Sequence, residues 1–217
     1  MMDRKVCALA LACIGFALFG LSGELPKAEF PVLTTSAGQS NDVVVLNILC
    51  DEAGILYDYC DVPTVELIAA GVGLGGAQPA PGFHVEVHTD LNKYPVGTPY
   101  KTVLVAIGAS LKGMGASGLT VETEIARLKA VLTYCKEQGM LIVGVHIGGQ
   151  AARGAPGSEN ELMIDTVAPF VNYLIVTEEG NFDGRFTKIA EERNIPITIV
   201  KYAVDVIPVL KTLFGLE

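Results

Sequence analysis

Apolar runs of strand length alternate with stretches of helical periodicity along most of this chain, and that alternation limits it to a sheet with helices packed against its faces. "PVLTTSAGQSND" predicts a short strand from Val32 to Thr35 and a turn over Gly38 to Asn41. Ser40 or Asn41 can then cap a helix reaching about Ala53. "KTVLVAIG" is a stronger strand, followed by "ASLKGMGASGL" and by a long helix capped by Thr120. That helix places Ile125, Leu128, Val131 and Leu132 on one face and closes at Gly139. "MLIVGVHIGG" is the next strand, and Ser158 with Glu161 reads as a capping box opening a helix. "NYLIVT", a helix from about Asp183 to Arg193, "IPITIV" and a helix from Val204 to Phe214 complete the series. Continuous apolar strands joined by helices imply a mostly parallel sheet with right-handed crossovers. The expected fold is therefore a three-layer α/β sandwich, Rossmann-like or flavodoxin-like, in one domain over about residues 30–217. Gly54 to Tyr100 breaks the rhythm: it reads as one sheet strand plus an irregular excursion at about 71–100.

The N-terminus has a different character. Met1 to Lys5 is basic, Val6 to Gly23 is 18 residues without a charge, and small residues close the run. This is the layout of a secretory signal peptide over residues 1–23, with an uncleaved anchor as the alternative. The expected location is secreted or extracytoplasmic. The chain carries a net charge of −9 from 15 basic and 24 acidic residues. Removing Arg4, Lys5 and Asp3 with the leader leaves 13 and 23, or −10. A negative surface argues against nucleic acid and against membrane contact beyond the leader. Cys50, Cys60 and Cys135 would remain, allowing a Cys50–Cys60 bridge or three buried thiols.

Two stretches match G-x-G-x-x-G, and context removes both. Gly71 to Gly76 follows a helix and runs into Pro79 and Pro81, so it reads as a flexible loop. Gly113 to Gly118 begins five residues beyond the strand end, and the next strand ends in His146 where a dinucleotide site needs an acid. No nucleotide cofactor is assigned, and Gly108-Ala109-Ser110-Leu111-Lys112 lacks the second glycine of a nucleophile elbow.

Several loops converge on one edge of the expected sheet. Ligands of open parallel sheets sit beyond the carboxyl ends of the strands. Loops rich in small and polar residues gather there, with Gln39, Ser40, Ser110, Lys112, Gly113, His146, Gly148, Gly149, Arg153, Ser158, Asn181 and Asp183 as candidate ligand-binding residues. Lys112 and Arg153 with helix-start amides would suit a phosphate or carboxylate, so a small polar or anionic ligand is expected. The competing reading has Arg153 pairing with Glu178, Glu179 or Asp183 and holding only its own loop. An extracytoplasmic hydrolase using Ser110, Lys112 and His146 is the alternative function, and an interaction module without a small-molecule site is a third. His146 and Ser110 are the catalytic candidates. In "FHVEVHT", His84, Glu86 and His88 would share one face of a strand. They are the candidates for a metal site, weighed against a surface hairpin with one polar face, and no metal is assigned.

"TTSAGQS", "IGASLKGMGASG", "VHIGGQAARG", "NFDGRF" and "NIPI", in this order, resemble a family of bacterial proteins, often exported, known as a domain of unknown function. The resemblance covers about residues 30–214 apart from the excursion. The family's loop often carries two adjacent arginines where this chain has Ala152-Arg153. It implies a shared fold and loop cluster and assigns no activity.

The leader makes one expectation directly measurable. Mass spectrometry of the protein from its native host should find an N-terminus between about Gly20 and Glu29. An intact Met1 form in the cytoplasm would end the export reading.

Overall fold

The computed structural model describes residues 25–216, so the leader, with Cys7 and Cys13, lies outside the described residues. Seven strands form one sheet: β1 Val32–Ala37, β2 Tyr57–Cys60, β3 Val85–Val87, β4 Thr102–Ile107, β5 Leu141–His146, β6 Tyr173–Thr177 and β7 Ile197–Val200. Seven helices accompany them: α1 Asp42–Ala53, α2 Val65–Ala69, α3 Leu111–Ala116, α4 Val121–Glu137, α5 Glu159–Val167, α6 Arg185–Arg193 and α7 Val206–Phe214. The sheet order is β3-β2-β1-β4-β5-β6-β7, parallel throughout except for β3, which runs antiparallel to β2. The expected α/β sandwich is thus present, with the chain winding in opposite directions on either side of the β1–β4 pair.

Burial explains the layers. Every residue of β1 and β4 is buried, as strands covered on both faces require. One face packs against α1 and α7 through Val43, Leu46, Val206 and Leu210. The other packs against α4, α5 and α6 through Leu128, Leu132, Ile164 and Phe186. α4 starts where expected: Thr120 Oγ1 accepts from Thr123 N at 3.2 Å, and Thr123 Oγ1 accepts from Thr120 N at 2.8 Å. Among the described residues no helix is long and apolar enough to cross a membrane.

Several expectations need correction. Cys50, Cys60 and Cys135 are free and buried. A Cys50–Cys60 bridge is barred because Cys50 sits in the core on one side of the sheet and Cys60 in the core on the other. Burial pushes each thiol up to about 12, so none is a ready nucleophile. Ser158 precedes α5 without forming the capping box, because Glu161 turns instead to Arg153. "ASLKGMGASGL" contains α3, capped by Ser110 Oγ accepting from Gly113 N at 3.0 Å.

The excursion is anchored rather than loose. It supplies the edge strand β3, and its glycine run carries the fully buried Val72 and Leu74. Asp58, buried in β2, ties it down at three separate points. Its carboxylate accepts from Gly73 N at 2.8 Å, from Thr89 N at 3.3 Å and from the Tyr100 hydroxyl at 2.6 Å. Composition suggests a flexible loop here because a single distant carboxylate, invisible to local pattern, satisfies these donors.

Asp58→Ala leaves two amides and a phenol unpaired in the interior, at about 1–3 kcal/mol for each such group. Urea denaturation should show a loss of roughly 3 kcal/mol or more, against about 1 kcal/mol for Tyr100→Phe, which removes one bond. Equal small losses would mean that the excursion does not depend on Asp58.

Candidate functional site

The order of strands reverses at β1, and the loops leaving β1 and β4 part there above the carboxyl edge of the sheet. The loop after β1 is held from beneath. Glu124 of α4, fully buried, accepts from Gly38 N at 2.8 Å. Arg127 neutralises it through two contacts of 2.7 and 2.8 Å and donates to the carbonyl of Ser36 at 2.9 Å. Gly38 in turn accepts from Ser110 N at 2.7 Å, and Gln39 bridges to Ala109. Gln39 has a φ of 56°, a left-handed conformation that a residue with a side chain adopts only when its surroundings fix it. Its Nε2 donates to the carbonyl of Asp61 at 2.8 Å. The first turn of α3 lies so close to Gln39 that a Cβ at Gly113 would collide with it.

Beside this loop opens a cleft of about 280 Å³. Gln39, Ser40 and Asn41 form one side, Gly113 and Ser117 of the α3 region another. Tyr59 and Asp61 at the end of β2 form its back, and Phe83 and His84 close it from the excursion. Asp61 Oδ1 accepts from Val62 N at 2.8 Å and from His84 N at 2.9 Å. Burial raises the Asp61 pKa, while those amides pull it down. Burial, then the neighbouring Asp61 charge, push the Tyr59 phenol up, so it stays protonated at neutral pH. Among the described residues no Lys or Arg lines the cleft.

Other candidates lie on the far side of β4. His146 is fully buried, and its Nδ1 sits 2.8 Å from the carbonyl of Ile107, so Nδ1 carries the proton and Nε2 offers a lone pair. Nε2 has no partner among the described residues, and burial lowers the histidine pKa. Nearby, Asp42 lies over the strand ends, where a Cβ on Gly108 or Gly148 would strike its carboxylate. Burial raises the Asp42 pKa, opposed by the approach of His146. These glycines therefore make room for the protein's own carboxylate rather than for a ligand. Ser110 spends its side chain on the α3 cap and no hydrogen bond joins it to His146, so the triad with Lys112 is not assembled; Lys112 is exposed.

Arg153 is the main correction. Its side chain is 3 % exposed and pairs with Glu161 at 2.7 Å and Asp183 at 2.8 Å. A further bond of 2.5 Å reaches the carbonyl of Gly180. Glu178 and Glu179 are not its partners. The guanidinium is consumed inside the protein and cannot clamp an external anion. Asn181 caps α6 through Phe186 N at 3.0 Å, and Asp183 belongs to the Arg153 pair, so both are structural. Gly149 faces Glu179, and the Ser158 hydroxyl is buried against Gly154 without a partner. His84, Glu86 and His88 do share one face of β3: each imidazole Nε2 meets one Glu86 oxygen, at 2.6 and 2.7 Å. The carboxylate is thereby satisfied within the trio, and among the described residues no cluster is placed to hold a metal.

Of the expected residues, then, Gln39, Ser40 and Gly113 meet at one cleft, with His84 added from the trio. Tyr59, Asp61 and Phe83 escape sequence reasoning, and Asn41 enters it only as a cap candidate in the Gly38–Asn41 loop. The end of a β2 strand beside the reversal point would have indicated Tyr59 and Asp61; nothing local indicates Phe83. Asn160, whose Oδ1 accepts from Ala109 N at 2.8 Å, is likewise unsignalled.

The chain belongs to the family described as a domain of unknown function, DUF6305, matched over residues 29–214. No curated protein matches it. A crystal structure described as a "putative acylhydrolase" from Bacteroides fragilis is similar over 81 % of this chain and 71 % of that one, at 10 % identity and a TM-score of 0.33. A likeness that distant carries no argument about activity.

Arg153→Ala should be strongly destabilising, by about 3–5 kcal/mol, because it strands buried carboxylate charge. The pH dependence checks the cause. Hydrogen bonding from Arg153 holds the Asp183 carboxyl down at about 2, and although burial opposes it, Glu161 is lowered by its bonds from Arg153 and Gly154. Depressed carboxyls contribute stability that is full above their unfolded values of about 4 and is lost as pH falls toward 2. Denaturation of the wild type should therefore weaken between about pH 5 and 2.5 more steeply than that of Arg153→Ala. A variant of near wild-type stability with a parallel pH profile would return Arg153 to the ligand-binding set.

Proposed function

We propose that this protein binds a small, uncharged polar ligand in the cleft where the strand order reverses between β1 and β4. The observation that carries the reading is the cleft's composition. Amide, hydroxyl and aromatic groups from separate elements converge there, around a Gln39 backbone held in a left-handed conformation by a buried ion pair beneath it. Among the described residues an anion finds no Lys or Arg in that cleft, since Arg153 is committed to Glu161 and Asp183. The apolar segment from Val6 to Gly23 supports an extracytoplasmic setting.

A thermal-shift screen of the purified protein against monosaccharides, nucleosides, amino acids, phosphate and sulfate tests this. A ligand present at a hundred times its Kd stabilises the native state by about 2.7 kcal/mol. For a domain of this size that is a rise of roughly 5–10 °C in Tm. Uncharged polar compounds should produce the shift, phosphate and sulfate should not, and Ser40→Ala should diminish it. A shift from the anions alone, or from nothing in the panel, would sink the proposal.

A further inference from the structure

The balance of groups in the cleft goes further than polarity. Asp61 uses one carboxylate oxygen on Val62 and His84 amides, leaving Oδ2 without a protein donor among the described residues. Gln39 spends its amide nitrogen on the carbonyl of Asp61, which leaves its oxygen as the end available to a ligand. The Tyr59 hydroxyl bonds to no other described residue. Two acceptors and one hydroxyl thus face the cleft, and the uncharged ligand of the reading above must offer donors to match them.

The opposite requirement comes from the rings. Tyr59 and His84 stand with centroids 5.7 Å apart and planes tilted by 44°, and half-buried Phe83 adds a third ring on the excursion side. Flat apolar faces beside a donor-hungry rim suit a molecule with C–H groups on one side and hydroxyls around its edge. A cleft of about 280 Å³ has room for one such ring and its hydration.

Resting on the polar-ligand reading above, we infer that the cleft takes a hydroxylated ring of the pyranose type, its C–H face against Phe83 and Tyr59 and its hydroxyls donating to Asp61 and Gln39. Ser40 and Asn41 lie at the open rim, where they would meet the remaining hydroxyls. Asn41 precedes α1 yet makes no capping bond with its side chain, so the amide is free for that role.

Isothermal titration calorimetry of the full chain with glucose, galactose, mannose, N-acetylglucosamine and their methyl glycosides tests the inference. At least one should bind, and Phe83→Ala should weaken it about tenfold or more. Asn41→Ala, which removes neither core volume nor a cap, should weaken it about three- to tenfold while leaving the melting curve of the free protein unchanged. If nucleosides or amino acids bind and no saccharide does, the hydroxylated-ring inference falls and the polar-ligand reading stands. Binding of tetramethylammonium in preference to every saccharide would make the rings a cation cage and overturn the inference. If no uncharged compound binds, both fall. Saccharide binding that is unchanged in Phe83→Ala and Asn41→Ala would place the sugar elsewhere and also overturn it.

Discussion

A carboxylate with no access to water, Glu124, sits under the loop that leaves β1, and the shape of the cleft depends on it. An isolated charge in that position would be prohibitively costly, and Arg127 makes it tenable by binding both oxygens. The same guanidinium reaches the carbonyl of Ser36, so one ion pair fixes the end of β1 and the amide of Gly38 together. From there the constraint propagates. Gly38 accepts from Ser110, Gln39 bridges to Ala109, and the Gln39 side chain reaches Asp61 at the end of β2. Three strand ends that would otherwise diverge are locked into one wall.

The loop after β5 uses the same device for a different end. Arg153 gathers Glu161 from α5 and Asp183 from the approach to α6, and Arg185 joins by contacting Glu161 and Asp165. Phe182 and Phe186 lie against the guanidinium at 5.1 and 5.7 Å. Every donor of Arg153 is thereby occupied or shielded, and the network closes on itself. Two arginines, Arg153 buried and Arg127 partly so, thus divide the carboxyl edge of the sheet. Arg127 holds a loop whose side chains remain available at the surface, whereas Arg153 holds one whose side chains are used up.

That division explains what could be read from the sequence. Strands β4, β5 and β6 are legible because burial on both faces demands apolar runs, a purely local signal, whereas β1, with Thr34, Thr35 and Ser36 inside it, shows only its first part. Thr120 is legible for a similar reason, since a cap and its partner lie three residues apart. Gln39 and Ser40 follow from knowing that strand ends at the sheet's carboxyl edge carry sites. The partners of Gly38 and Asp58 follow from nothing local, since Glu124 is 86 residues from Gly38 and Tyr100 is 42 from Asp58, and of the Arg153 pair only Asp183 is among the carboxylates that the sequence offers. A positive charge in a glycine-rich loop looks alike whether it faces solvent or two carboxylates. Only the fold decides, and here it decided against the more attractive reading.

Glycine enrichment proves similarly ambiguous. Gly108 and Gly148 stand at strand ends, as glycines do where a ligand approaches the backbone, yet the group that needs the space is the carboxylate of Asp42. Gly180 plays the same part for the ring of His146. Burial raises the Asp42 pKa and lowers that of His146, while the attraction between the two opposes both shifts. Asp42 and His146 each keep a buried atom without a hydrogen-bond partner among the described residues. On the proposed polar-ligand reading, the groups left to recognise a ligand at this edge of the sheet are the hydrogen-bonding side chains and ring faces of the cleft, since the glycines around Asp42 and His146 are taken up by the protein's own side chains.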